Sequence, residues 1–171
     1  LALNQEQVQL ADFDGTKFFA WLIPSAREDT SNSWVIFFHG SGDNVSSHSN
    51  NYDDFRSMGF NVLAPEYPGY LDFPGVPSEN AVEREGQTAY DYLRVVKQVP
   101  AENIVIFGAS LGGGIAIDLA SHVQAGALVV ASTFSSIPAV AQKSYPFLPI
   151  RLLSKNPFET DRKIGRVKMP V

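Results

Sequence analysis

The 171-residue sequence contains no cysteine, which excludes a disulfide framework and any metal site built on thiolates. No apolar run reaches the roughly 18 residues of a membrane-spanning helix. Basic residues number 13 against 18 acidic ones and form no cluster. That balance argues against nucleic acid as a partner, because phosphate binding needs lysine and arginine. Hydrophobic residues make up 44% and charged residues 18%, ordinary globular values, so we expect one folded domain over residues 1–171.

The most informative segment is residues 104–116, IVIFGASLGGGIA. An apolar, β-branched run reaches Gly108, a Gly-x-Ser-x-Gly sequence follows, and a stretch of small residues comes next. A strand, a sharp turn and a helix with one serine at the apex form the nucleophile-elbow pattern. The helix that starts here directs its N–H groups and positive dipole end at the place where an oxyanion would form. Ser110 is therefore the predicted nucleophile, and Leu111 is predicted to donate one oxyanion N–H.

A second buried strand ends in the sequence His-Gly-Ser-Gly at residues 39–42. In acyl-transfer enzymes built on such strands, the loop after this strand supplies the second oxyanion N–H. Ser41 is predicted to be that donor, and Gly42 is the alternative if the loop is offset by one residue. His39 is interpreted as a residue that shapes the loop rather than as a base.

Several other polar residues receive structural interpretations. His48 is expected to be solvated, because one or two histidines without thiolates or clustered carboxylates make a poor metal site. Asp118 is expected to be solvated or structural. Tyr67 and Tyr70 are candidates either for lining a pocket or for packing.

Hydrophobic periodicity predicts strands alternating with helices, and hence an α/β fold with a mostly parallel sheet covered on both faces. An Asp-Gly pair predicts a hairpin turn at Asp14 and Gly15. Asn80 with Glu83 is predicted to form a helix capping box. Strands are predicted at 8–12, 17–23, 34–38, 60–64, 103–107 and 127–131, and helices at 47–58, 80–97 and 111–123.

These motifs together make the chain resemble the α/β-hydrolases, and among them the Bem46-like serine hydrolases. The resemblance runs over nearly the whole chain and rests on HGSG at 39–42, APEYPGY at 64–70, GASLGG at 108–113, FSSIP at 134–138 and YPFLPIRLL at 145–153. It implies a possible cap or lid insertion at 133–166, although an ordinary helix packed on the core is an equal alternative. Pro68 departs from the pattern, since relatives usually carry arginine there.

In this fold the catalytic triad follows the chain order serine, acid, histidine. Only His122 follows Ser110, and it lies about 18 Å further along the predicted helix at about 1.5 Å per residue. The resemblance places the acid near the end of a strand that begins around residues 168–171, with the histidine beyond it. The triad acid and histidine are therefore expected outside residues 1–171, and these residues alone are expected to lack a base for Ser110.

The resemblance implies a serine hydrolase that forms an acyl-enzyme on Ser110, with a carboxylesterase as the default and an ester or acyl compound as substrate. A depalmitoylating thioesterase, a peptidase and a non-catalytic binding protein of the same fold are the alternatives. No cofactor and no metal are expected. Relatives often carry an N-terminal hydrophobic anchor, so membrane association, cellular location and oligomeric state are left open.

A different class, the short-chain dehydrogenases, also carries a Gly-x-x-x-Gly-x-Gly turn like that of residues 108–114. That turn should follow the first strand, whereas at least two buried strands precede it here. The next strand ends in Ala131-Ser132-Thr133, with no acidic residue to bind a ribose. The position of the motif therefore favours the hydrolase interpretation.

Overall fold

A six-stranded mixed sheet organises the chain. The structure, a computed structural model, describes residues 3–27, 32–71, 73–133, 136 and 158–171. The strands are β1 (Glu6–Ala11), β2 (Lys17–Ile23), β3 (Trp34–Phe38), β4 (Asn61–Pro65), β5 (Ile104–Ala109) and β6 (Ala127–Ala131). The α-helices in the described ranges are α1 (Ser49–Ser57), α2 (Glu79–Asp91), α3 (Leu111–Ala120) and α4 (Thr160–Lys163).

The strands lie in the order β1-β2-β4-β3-β5-β6. β4, β3, β5 and β6 run parallel to one another. β1 pairs antiparallel with β2, and β2 pairs antiparallel with β4. All five residues of the central strand β3 are buried, as expected for a strand covered on both faces. The predicted parallel sheet is therefore right for the last four strands, and the predicted hairpin forms its antiparallel edge.

The parallel strands bring four chain segments to one edge of the sheet. Because β3, β4, β5 and β6 run in the same direction, the loops after Phe38, Pro65, Ala109 and Ala131 lie at the same edge. β4, which follows β3 in the chain, lies on one side of β3 in the sheet, and β5 lies on the other side. Such a reversal of strand order opens a crevice at the carboxyl ends of the strands, the usual ligand site of open α/β sheets.

Helices cover both faces of the sheet, and each face has its own apolar core. On one face, Tyr52 and Phe55 of α1 pack with Phe37 and other residues of the central strands. On the other face, α2 and α3 pack with Phe38 and its neighbours. The predicted two-sided architecture is confirmed.

The boundaries of all three predicted helices were wrong in detail. α2 begins at Glu79, because the Ser78 hydroxyl accepts a hydrogen bond from Ala81 N at 3.2 Å and acts as the N-cap. Asn80 therefore lies inside the first turn and does not cap the helix. After Asp91 the helix widens into a π-helical turn, Tyr92–Val96. α1 is preceded by a 3-10 turn, Val45–His48, and α3 ends at Ala120 rather than at 123.

Two predictions concern the last third of the chain. The possible cap at 133–166 lies largely outside the described residues. The strand expected to begin around residues 168–171 does not form within them, although Leu128 N of β6 donates to Pro170 O at 2.9 Å.

Glycines allow α3 to approach the sheet more closely than any other residue would. A β-carbon on Gly112 would lie 2.1 Å from Phe38 O, and one on Gly108 would lie 2.2 Å from Gly112 O. Real β-carbons do not approach backbone oxygens so closely. The first turn of α3 therefore sits directly against the ends of β3 and β5.

We expect Gly112→Ala to lower the free energy of unfolding by about 3 kcal/mol, the upper range for overpacking a rigid site. The added methyl group meets backbone atoms, which cannot turn aside as a side chain would. Urea denaturation followed by circular dichroism measures the loss. The matched control is Gly165→Ala, where a β-carbon would have no neighbour within 4 Å. Equal effects of the two substitutions would contradict the close contact.

Candidate active site

Ser110 occupies the sharp turn between β5 and α3. Its backbone has φ 50° and ψ −115°, a conformation that is strained for a residue with a side chain. Ser110 N donates to Ala131 O at 3.0 Å, and its carbonyl accepts from Gly113 N at 3.0 Å and from Thr133 Oγ1 at 3.2 Å. Backbone contacts on both sides therefore hold the strained turn, and Ser110 itself is exposed at the edge of the sheet.

The loop after β3 lies beside Ser110. A β-carbon on Gly40 would lie 3.4 Å from Ser110 Cβ, so the loop passes within van der Waals reach of Ser110. Leu111 is the first residue of α3, and its N–H belongs to the first turn, which has no partner within the helix. The structure thus brings Ser110, Leu111 and the loop of residues 40–42 to the same end of the crevice. Their catalytic roles stay predictions.

The buried carboxylate of Glu66 fixes the loop after β3. Glu66 is fully buried, and its Oε1 lies 2.9 Å from His39 Nε2 and accepts from Tyr67 N at 3.0 Å. Its Oε2 accepts from Val45 N at 2.9 Å. One side chain therefore joins the loop after β3, the turn before α1 and the loop after β4. Sequence reasoning gave Glu66 no role, because nothing in the pattern separates a buried glutamate from an exposed one.

His39 is engaged on both ring nitrogens, as Nδ1 lies 2.9 Å from Gly40 O. This geometry fits the interpretation that His39 shapes the loop. The two tyrosines of the β4 loop pack against it. Tyr67 is fully buried, stacks on the His39 ring and donates its hydroxyl to His39 O at 2.9 Å. Tyr70 donates its hydroxyl to Ser41 O at 3.2 Å.

The two other histidines lie elsewhere. The prediction that His48 is solvated was wrong, since its side chain is only 15% exposed and its ring lies 5.1 Å from that of Phe37. His122 lies beyond the end of α3, with Nε2 3.0 Å from Gln87 Oε1.

Asp118 has a structural role, as its Oδ1 lies 2.7 Å from Lys163 Nζ. Lys163 also binds Glu83 at 2.5 Å and so ties α4 to α2 and α3.

Glu85 of α2 is a buried acid close to the same loop. Its side chain is fully buried, and among the described residues neither of its oxygens has a hydrogen-bond partner. Burial raises the pKa of its carboxyl well above the ordinary 4.5, and the negative charge of Glu66 raises it further. Burial, with Glu85 and Glu66 nearby, also raises the pKa of the Tyr67 hydroxyl well above 10.0. The hydroxyl therefore remains protonated and continues to donate to His39 O.

Within the described ranges, no group of three or more histidine, aspartate or glutamate side chains could hold a metal ion. Nor does any helix in those ranges have the length and apolar character needed to cross a membrane.

Comparisons with known proteins agree on one family. The model of the alpha/beta hydrolase family matches residues 35–167. The chain is 30% identical over 158 residues to an uncharacterised protein of Mycobacterium tuberculosis, covering 92% of this chain and 56% of that protein. It is 28% identical over 148 residues to the protein Bem46 of Schizosaccharomyces pombe, covering 85% and 50%. The chain thus spans about half the length of these curated relatives.

Among solved structures, the chain is similar to the Pyrococcus furiosus esterase Pf2001. The TM-score is 0.74 at 19% identity, over 99% of this chain and 67% of that one. At this identity the likeness establishes the fold alone.

The buried acid gives stability a specific pH dependence. Between pH 4.5 and its raised pKa, Glu85 keeps its proton in the folded state and loses it in the unfolded state. Over this interval its titration lowers the free energy of unfolding by about 1.4 kcal/mol for each pH unit of increase. Glu85→Gln removes that slope, so we expect the variant to gain stability over the unmodified protein as pH rises above 5, measured by urea denaturation at each pH. Glu102→Gln, at an exposed carboxylate, is the control, and parallel pH curves for Glu85→Gln and the unmodified protein would contradict the assignment.

Proposed function

Because the chain belongs to the alpha/beta hydrolase family, we propose that Ser110 is the nucleophile of a serine hydrolase that cleaves carboxylic esters. The observation that carries the proposal is the strained turn at Ser110, held at the carboxyl edge of the sheet beside the glycine loop after β3. Strain of this kind persists only where the surroundings enforce it, and it is concentrated at functional sites. The esterase title of the Pyrococcus structure supports the same reaction class.

In the proposed reaction, Ser110 Oγ attacks the ester carbonyl carbon after a general base takes its proton. The C=O electron pair moves to the oxygen, and N–H groups of Ser41 and Leu111 hold the resulting oxyanion. When the intermediate collapses, the C–O bond of the ester breaks, the leaving oxygen takes the proton back from the base and departs as the alcohol, and an acyl group stays on Ser110. Water then releases the acid in the same two steps and regenerates the serine.

Buried contacts hold the loop after β3, which carries the proposed oxyanion donor, in a fixed position. An oxyanion donor acts only if it is already in place when charge develops on the substrate oxygen. Glu66, His39 and Tyr67 fix the backbone around Gly40 through fully buried contacts. His39 Nδ1 lies 2.9 Å from Gly40 O, the carbonyl of the peptide unit that carries Ser41 N–H. Tyr70 donates to Ser41 O, the carbonyl of the peptide unit that carries Gly42 N–H, the alternative donor. These contacts supply the preorganisation that an oxyanion hole requires.

We expect Ser110→Ala to abolish labelling of the full-length protein by a fluorophosphonate probe and to lower esterase kcat by about 10³-fold or more. Alanine lacks the attacking oxygen, while the backbone contacts of the turn remain. Gel fluorescence and mass spectrometry of the labelled peptide measure the loss. Ser57→Ala, an exposed serine on α1, is the matched control and should label normally. Equal labelling of both variants would exclude Ser110 as nucleophile, and no labelling of the unmodified protein would favour a non-catalytic binding protein.

The aromatic and aliphatic residues at 145–153, outside the described residues, suggest an apolar acyl group. We therefore expect kcat/KM on p-nitrophenyl esters to be highest for short to medium acyl chains. A series of straight-chain esters assayed on the full-length protein gives the profile. Turnover confined to long-chain thioesters would favour a depalmitoylating thioesterase, and turnover confined to aminoacyl amides would favour a peptidase.

A further inference from the structure

A carboxylate stands beside the proposed nucleophile. The β-carbon position above Gly40 lies 3.4 Å from Ser110 Cβ and 3.3 Å from Asp43 Oδ2. Ser110 and the Asp43 carboxylate therefore adjoin the same point at the mouth of the crevice. The Asp43 side chain is 46% exposed, so a substrate approaching Ser110 meets a partly solvated negative charge.

The local fold does not require this charge. Asn44, not Asp43, caps the following 3-10 turn, with its Oδ1 2.9 Å from Ser46 N. The turn at Asp43 is closed by its backbone, through Asp43 N donating to Gly40 O at 3.3 Å. This backbone hydrogen bond does not depend on the Asp43 side chain.

The carboxylate is only weakly neutralised. Within the described residues its ion-pair partner is His48, with Nε2 3.4 Å from Asp43 Oδ2. An imidazole balances the carboxylate only when it is protonated, and no lysine or arginine of the described ranges pairs with Asp43. A negative charge at this place raises the cost of forming an oxyanion nearby, because like charges repel strongly at a partly desolvated site. A positive charge on the substrate offsets that cost.

We propose that Asp43 is a specificity residue that selects esters carrying a positively charged amine or quaternary ammonium group near the scissile carbonyl. The inference rests on the proposed function of Ser110. It differs from that function in predicting discrimination between substrates that have the same shape and reactivity but different charge.

Acetylcholine and 3,3-dimethylbutyl acetate form a suitable pair, because the second replaces the ammonium nitrogen of the first by carbon. We expect the full-length protein to have a kcat/KM for the cationic ester about fivefold above that for the neutral one, as an ion pair at a partly exposed site allows. In Asp43→Asn the ratio should fall close to one, with turnover of the neutral ester rising. Asp54→Asn, an exposed aspartate on α1, is the matched control and should keep the original ratio.

A measurement without any variant covers the case in which Asp43→Asn fails to fold. Raising the salt concentration from about 0.05 M to about 0.5 M should reduce the cationic preference of the unmodified protein, because salt screens exposed charges. A ratio near one at low salt, or an unchanged ratio in a folded Asp43→Asn variant, would overturn the inference.

Labelling separates this inference from the proposed function. Two phosphonate probes that differ only by a trimethylammonium or a tert-butyl group are compared for the rate at which they modify Ser110. Faster reaction of the cationic probe, lost in Asp43→Asn, supports the inference. Equal rates at Ser110 would overturn the role of Asp43 and leave Ser110 as nucleophile, whereas no modification of Ser110 by either probe would overturn the proposed function itself.

Discussion

The first turn of α3 lies against the end of β3 with no side-chain carbon between them. Gly112 makes this possible, since any β-carbon there would overlap Phe38 O. The contact sets the height of Ser110 above the sheet and its distance from Gly40. If α3 were displaced by the width of a methyl group, the start of the helix would move away from the end of β3 by a similar distance. The arrangement of the candidate site thus depends on a backbone contact that involves no functional side chain.

Two acidic side chains, Glu66 and Glu85, are fully buried, and their surroundings differ. Glu66 accepts hydrogen bonds from three segments and acts as a fixed connection between them. Glu85, on α2, has no such partners in the described part of the chain. Burying a carboxyl group without hydrogen bonds is unfavourable, and the group responds by keeping its proton. The two buried acids therefore differ: Glu66 is fixed by hydrogen bonds, whereas burial raises the pKa of Glu85.

The sequence was sufficient for much of the fold. Continuous apolar runs predicted β3 and β5, the Asp-Gly pair predicted the first hairpin, and β6 was predicted with its observed bounds. The α/β-hydrolase fold and the resemblance to Bem46-like proteins are confirmed by the family match and the similar proteins. The capping of α2 was predicted wrongly, because Ser78 and Asn80 are both good cap residues, and the extended backbone at Ser78, with φ −140° and ψ 157°, makes Ser78 the cap. Asp43, Glu66 and Glu85 could not be recognised, since their environments arise from contacts between residues far apart in the sequence.

The hydrogen bonds that enclose Ser110 have a practical consequence. Its N–H and carbonyl are bound by Ala131, Gly113 and Thr133, so the peptide units around it are positioned without help from its own hydroxyl. The residue at this place can be exchanged for another small one while the crevice keeps its shape. Under the proposed function, such a variant is inert and retains compounds that the unmodified protein would convert and release. Such a substrate trap, incubated with a cell extract and analysed by mass spectrometry, offers a route to the natural ligand.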